Sequence, residues 1–242
     1  MSVSLKKNYI FIAGAWHGGW VWKNIANKLR EQNHNVTTLT LTGIGEKQHN
    51  ITNNTNLSTH IEDVLAHIQM EELDDVVLVG WSYGGMVVTG VASRIPDKIK
   101  ALYYLDAALP EPGKSLSDYL PLPIRQFIHT QLQISNQISP APMSSFGLTD
   151  PDDLAFVNAH VTPHPIKSLI EPLPDVNLPD VPITYVYCSG YGKAGDEVAD
   201  TYEKTWERVR HDPRIRGIEL NCNHFPMLSE PEKTLDILLD KY

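Results

Sequence analysis

Cysteine is scarce in this chain: Cys188 and Cys222 are the only two in 242 residues, too few for a disulfide framework. Two free thiols in a reducing compartment are the reading that follows, and the cytoplasm is the expected setting. Basic charge is short as well, with 20 Lys and Arg against 29 Asp and Glu and a net charge of -9. That balance lacks the basic footprint that nucleic-acid phosphates require, so no nucleic-acid partner is expected. Long apolar runs are missing too. Tyr9-Ile10-Phe11-Ile12 stops at Gly14, too short to cross a membrane and without the apolar region of a signal peptide. Neither an internal repeat nor a low-complexity tract interrupts the sequence. What is present, 42% hydrophobic and 20% charged residues, is ordinary for one globular domain of this length.

Short runs rich in β-branched and aromatic residues at 8–13 (NYIFIA), 35–41 (NVTTLTL), 75–79 (DVVLV) and 99–105 (IKALYYL) predict strands. Amphipathic stretches at 20–31, 58–70 and 83–94 predict the helices between them. Ser58 is the expected N-cap of the second, and Pro96 stops the third. Such alternation implies right-handed crossovers and a mostly parallel central sheet flanked by helices. The rhythm then breaks: residues 110–179 hold 12 of the 17 prolines, more missing amide donors than a sheet interior absorbs. This stretch is read as an inserted helical cap, with a clear helical pattern near 115–133 and none over 134–179. Strands at 182–188 and 214–221, with helices near 196–210 and 231–241, restore the rhythm. The predicted organisation is a core of 1–109 and 180–242 interrupted by a cap at 110–179.

Gly80-Trp81-Ser82-Tyr83-Gly84 is a G-x-S-x-G motif set between a predicted strand and a predicted helix, the context in which it forms a nucleophile turn. So sharp a turn strains the serine backbone, and flanking glycines relieve the crowding. The Ser82 hydroxyl then projects at the carboxyl edge of the sheet, beside a helix N-terminus. The motif predicts an α/β-hydrolase fold with Ser82 as nucleophile. In that fold the order is serine, acid, histidine, with the histidine after the last strand; of ten histidines only His224 fits. His34, His49, His60 and His67 precede the serine and read as surface or loop residues. His160 and His164 are four apart but split by Pro163, with no third ligand evident, so no metal site is expected. Two candidates stand for the acid. Asp106 ends the strand ALYYL, whereas Asp196 lies several residues beyond ITYVYC. Asp106 is preferred because a strand end fixes a carboxylate more rigidly than a long loop does. The Gly-rich loop 14–19 offers a backbone N–H toward the serine, and the Tyr83 amide offers a second, as an oxyanion hole requires.

GAWHGGWVW at 14–22, LTLTGIGEK at 39–47, GWSYGGMV at 80–87 and YYLDAALPEPGKS at 103–115 resemble the α/β-hydrolase branch of plant methylesterases, hydroxynitrile lyases and related bacterial esterases. The similarity spans nearly the whole chain and is strongest before residue 115. It implies Ala15 and Tyr83 as oxyanion amides, Ser82 and His224 as the catalytic pair, and no metal or organic cofactor. Two departures matter. Ala13-Gly14 stands where the family usually has His-Gly, and Tyr191 stands where many members place the catalytic aspartate, which raises Asp106 by default.

The expected function is that of a carboxylesterase-type serine hydrolase, cleaving an ester of a small to medium hydrophobic substrate through an acyl-serine intermediate. One alternative is a hydroxynitrile lyase; by resemblance such lyases carry a lysine beside the catalytic histidine and a threonine in the first loop, where this chain has Phe225 and Gly14. Another is a non-catalytic receptor for a small molecule on the same fold. Trp16 and Trp81 beside the two loops, with Leu120 and Phe127, are the expected substrate-binding residues. The last two belong to an apolar set that also includes Leu116, Tyr119, Ile124 and Ile128, with helical spacing. A small-molecule ester is the expected partner, and no membrane is.

Overall fold

In the computed structural model, which describes residues 6–192 and 199–241, the apolar runs become strands of one parallel sheet. The chain runs through β1 (Asn8–Ile12), α1 (Lys23–Glu31), β2 (Asn35–Leu39), α2 (Leu57–Met70), β3 (Val76–Trp81), α3 (Gly84–Arg94) and β4 (Ile99–Leu105). A long connection follows, with α4 (Leu122–Leu132), β5 (Gln137–Ile138), α5 (Pro151–His160), β6 (His164–Pro165) and α6 (Ile166–Ile170). The sheet resumes with β7 (Ile183–Cys188), α7 (Ala199–Val209) and β8 (Ile215–Leu220), and α8 (Pro226–Ser229) and α9 (Pro231–Leu238) close the described chain.

The strand order is β2-β1-β3-β4-β7-β8. Every residue of β3 is buried, as expected where helices cover both faces of a parallel sheet. The pleat sends alternate residues to two apolar layers: Ile10, Ile12 and Leu78 pack on one face, Tyr9, Phe11, Val77 and Val79 on the other. From β1 the chain crosses outward to β2 and then returns to β3 on the other side. Ligands of open α/β sheets bind at such a reversal, outside the carboxyl ends of the strands. Pairing of Ile12 with Gly80 sets the loops after β1 and β3 side by side there.

The connection between β4 and β7 lies against the loop after β1. The Trp16 indole donates to the Ile138 carbonyl at 3.1 Å, and Thr162 N–H donates to the Trp16 carbonyl at 3.1 Å. Within it, α5 falls in the stretch where no helical pattern was evident. Of α5 only Val157 is buried, so the helix carries no apolar stripe; Asp150 caps it, accepting from the amides of Asp152 and Asp153 at 3.0 Å. One capping expectation is corrected. Asn56, not Ser58, caps α2, accepting from Thr59 N–H at 3.0 Å, because the Ser58 amide and hydroxyl are taken by Glu171 at 2.8 and 2.7 Å.

Candidate active site

Left-handed backbone gathers at the carboxyl ends of three neighbouring strands. Trp16 beyond β1, Ser82 at the end of β3 and Asp106 at the end of β4 have φ of 68°, 55° and 44°. Non-glycine residues held there cost roughly 1–3 kcal/mol each and persist only where surrounding structure over-determines them. At Ser82 the surroundings do so: Ala108 N–H donates to its carbonyl at 3.0 Å, and α3 starts two residues later. Gly84 permits that start, because a Cβ there would come 2.5 Å from the Ile12 carbonyl oxygen. Gly14 brings the first loop against the serine, since a Cβ on it would lie 2.8 Å from Ser82 Cβ. Among the described residues no group accepts from the Ala15 or Tyr83 amide, and both flank Ser82 as an oxyanion hole requires.

His224 follows β8 in the loop before α8 and is 2% exposed. Its Nδ1–H donates to Asp106 Oδ2 at 2.6 Å. The Tyr191 hydroxyl donates to the same oxygen at 2.6 Å, and Cys188 N–H donates to Oδ1 at 3.1 Å. Burial and the Asp106 charge push Tyr191 well above its ordinary range, so it stays a neutral donor. With Nδ1 committed to the carboxylate, Nε2 is the imidazole nitrogen left to accept a proton. Two bonds hold its backbone and one stack its ring: the Trp81 indole donates to the His224 carbonyl at 2.6 Å, His224 N–H donates to the Phe146 carbonyl at 3.2 Å, and the Phe146 ring stacks on the imidazole at 5.4 Å. Asp106, 0% exposed, is thus the carboxylate that meets His224. The competing candidate, Asp196, lies outside the described residues. Tyr191, which stands where the resemblance places an aspartate, donates to the Asp106 carboxylate, a partnership that no motif announced.

The hydroxyl of Ser82 pairs with the phenol of Tyr202 on α7 at 2.9 Å, and the Tyr202 ring packs on His224 at 4.9 Å. No hydrogen bond joins Ser82 to His224 among the described residues. A mostly apolar cavity of about 440 Å³ opens beside them. Trp16, Leu120 and Phe127 line it together with Ile124, Leu169 and Tyr202. Leu116 and Ile128 reach it as well. Tyr119 does not; its hydroxyl accepts from Glu111 N–H at 2.6 Å. Trp81 is placed differently from the other expected pocket residues, 1% exposed behind Ser82 and His224 with its indole holding the His224 carbonyl.

Two histidines read as surface or loop residues are buried in the structure. His34 is 4% exposed beside β1, and His60 is fully buried under the serine turn. His60 Nε2–H donates to the Thr42 carbonyl at 2.9 Å, leaving Nδ1 to accept from the Tyr83 hydroxyl at 2.7 Å. His164, also fully buried, accepts the Trp16 N–H on Nδ1 at 3.3 Å and donates from Nε2 to Ser168 at 2.8 Å. His17 donates from Nδ1 to the Ala15 carbonyl at 2.6 Å; burial holds it down at about 3, with His224 adding to the effect against that bond. Burial pushes His60 and His164 down likewise. A clamp of neutral histidines therefore holds the loop of Ala15 and Trp16 and the side chain of Tyr83. The sequence carried little signal for it, because these three histidines come from three separate segments.

Among the described residues, no group of three or more His, Cys, Asp or Glu could hold a metal ion, and no helix is long and apolar enough to cross a membrane. The model of the alpha/beta hydrolase family matches residues 9–237. The chain belongs to that family. This α/β hydrolase is 55% identical to the carbendazim hydrolyzing esterase of Nocardioides sp. over 114 residues, which are 47% of this chain and 47% of that protein. The match thus spans about half the relative's length. Salicylic acid-binding protein 2 of Nicotiana tabacum is 26% identical over 255 aligned positions, covering 97% of this chain and 96% of its own. An extracellular alpha/beta-hydrolase from a Paenibacillus species superposes with a TM-score of 0.81 at 23% identity, over 97% of this chain and 98% of that one. The fold expected from the sequence is the fold found.

Proposed function

We propose that this α/β hydrolase is a serine carboxylesterase that forms and hydrolyses an acyl-serine. The observation carrying the reading is the Asp106–His224 bond of 2.6 Å beside a serine held at φ 55° on a nucleophile turn. Asp106 fixes the tautomer in which His224 Nε2 takes the Ser82 proton. The hydroxyl must first turn from Tyr202 toward His224; such bonds commonly tighten only when substrate binds. Ser82 attacks the ester carbonyl, the amides of Ala15 and Tyr83 receive the oxyanion, and His224 returns the proton to the leaving alcohol. Water then releases the acid. The cavity supports an apolar acyl or alkoxy group of small to medium size, with Trp16, Leu120 and Phe127 against it.

The lyase alternative has less support. Phe225 is fully buried against Trp81, with ring centroids 4.9 Å apart, and supplies no ammonium beside His224. The test is a series of methyl, ethyl and p-nitrophenyl esters, with carbendazim included because a relative is named for it. Turnover by the wild type that vanishes in Ser82→Ala is expected. Wild-type rates no higher than those of Ser82→Ala would refute the reading, and tight binding of an unconverted small molecule would favour a receptor.

A further inference from the structure

The phenol of Tyr202 is the hydrogen-bond partner of the nucleophile, yet nothing in the triad or the oxyanion hole uses it. We propose that Tyr202 is a further catalytic residue, donating a hydrogen bond to the departing alkoxy oxygen. The proposal rests on the esterase reading above.

Three observations carry it. Tyr202 Oη lies 2.9 Å from Ser82 Oγ, so it touches a reacting atom. Its ring packs on His224 at 4.9 Å, and it lines the cavity together with Ser82. Tyr202 is 5% exposed, and burial with the nearby Asp106 charge raises its ionisation well above the ordinary tyrosine range, so the phenol is a neutral donor.

The geometry of the reaction then limits what this donor can reach. In the tetrahedral adduct the carbonyl carbon bears the Ser82 oxygen, the oxyanion and the alkoxy oxygen. The oxyanion belongs to the amides of Ala15 and Tyr83. For His224 to protonate the alkoxy oxygen, that atom must sit beside the imidazole and next to Ser82 Oγ. Tyr202 touches both neighbours of that position. When the carbon–oxygen bond breaks, His224 supplies the proton to the leaving alcohol and Tyr202 keeps its own, contributing only a hydrogen bond to developing charge. In the resting enzyme the phenol and the Ser82 hydroxyl share one hydrogen bond of 2.9 Å, and substrate displaces it.

A donor to the leaving oxygen matters in proportion to how much charge that oxygen develops. Tyr202→Phe keeps the ring on His224 and removes only the hydroxyl. With esters of one acid, which share one acyl-enzyme, we expect kcat/KM, which reports acylation, to fall about tenfold to a hundredfold for ethyl and methyl esters. For the p-nitrophenyl ester, whose leaving group needs no such help, the loss should be under about threefold. Labelling of Ser82 by a p-nitrophenyl phosphonate should proceed near the wild-type rate, which also reports that the variant is folded with its nucleophile intact. Equal losses across all leaving groups, no loss with any, or labelling that slows in parallel would each overturn the assignment. If Ser82→Ala hydrolyses the same esters as fast as the wild type, it is the esterase reading that falls.

Discussion

Buried histidines lie on two sides of the serine turn, and their partners differ. His224, at the carboxyl ends of β4, β7 and β8, donates to a buried carboxylate at 2.6 Å. His17, His60 and His164, under the loops after β1 and β3, face carbonyls, hydroxyls and an amide instead. The partner decides the role. An imidazole bonded to a carboxylate gains compensation when it takes a proton, so it serves as a base. An imidazole buried without a bonded carboxylate has no such compensation; desolvation holds it neutral, and in His60 and His164 one nitrogen donates while the other accepts.

Removing the carboxylate should erase the distinction, with the largest effect. Asn at position 106 would offer its amide group to His224 Nδ1, favouring the tautomer whose Nε2–H cannot accept the serine proton. Asp106→Asn is therefore expected to lower kcat by about 10⁴-fold with KM nearly unchanged. Asp196→Asn, at the competing position, should leave the rate as it was. Steady-state kinetics on short-chain esters checks both, and the reverse pattern would move the triad acid to Asp196.

The clamp should answer differently. His164→Leu strips the Trp16 N–H and the Ser168 hydroxyl of their partner, and stability should drop by about 2–3 kcal/mol in urea unfolding. His164→Asn places a carbonyl oxygen near the position of Nδ1 and should recover most of that loss together with activity. At position 224 the same Asn gives no recovery, because a base is missing rather than a bond. Equal behaviour of the Asn variants at the two positions would break the comparison.

The proposed base was legible where the clamp was not, and the reason is physical. Ser82 is announced by five contiguous residues between a strand and a helix, and chain order then singles out His224. The buried inner strands β1, β3, β4 and β7 also read directly as short apolar runs, and the edge strands β2 and β8, NVTTL and IRGIEL, through their β-branched residues and their place in the alternation. Asp106, the preferred acid, was singled out by its place at a strand end. Tyr202 and His60 carry no comparable signal: each sits on a helix whose pattern reports burial and not the neighbour met there. The helix α5 escaped notice because only Val157 of its ten residues is buried.

The smallest of the expected effects separates the two groups by pH. His17 titrates at about 3 in the folded chain, against 6.5 for an unperturbed histidine. Between those values the unfolded chain takes up a proton that the folded chain does not, so stability falls as pH falls below about 6.5. From pH 7 to pH 5 this single group should cost about 2 kcal/mol, in a range where ordinary carboxylates are still ionised. His60 and His164 are pushed the same way and add to the slope. In His17→Gln the contribution of position 17 disappears while theirs remains, so the unfolding free energy should lose about 2 kcal/mol less over that interval than in the wild type. Identical slopes would mean that His17 is free to take a proton in the folded state. It would then belong with the base rather than the clamp.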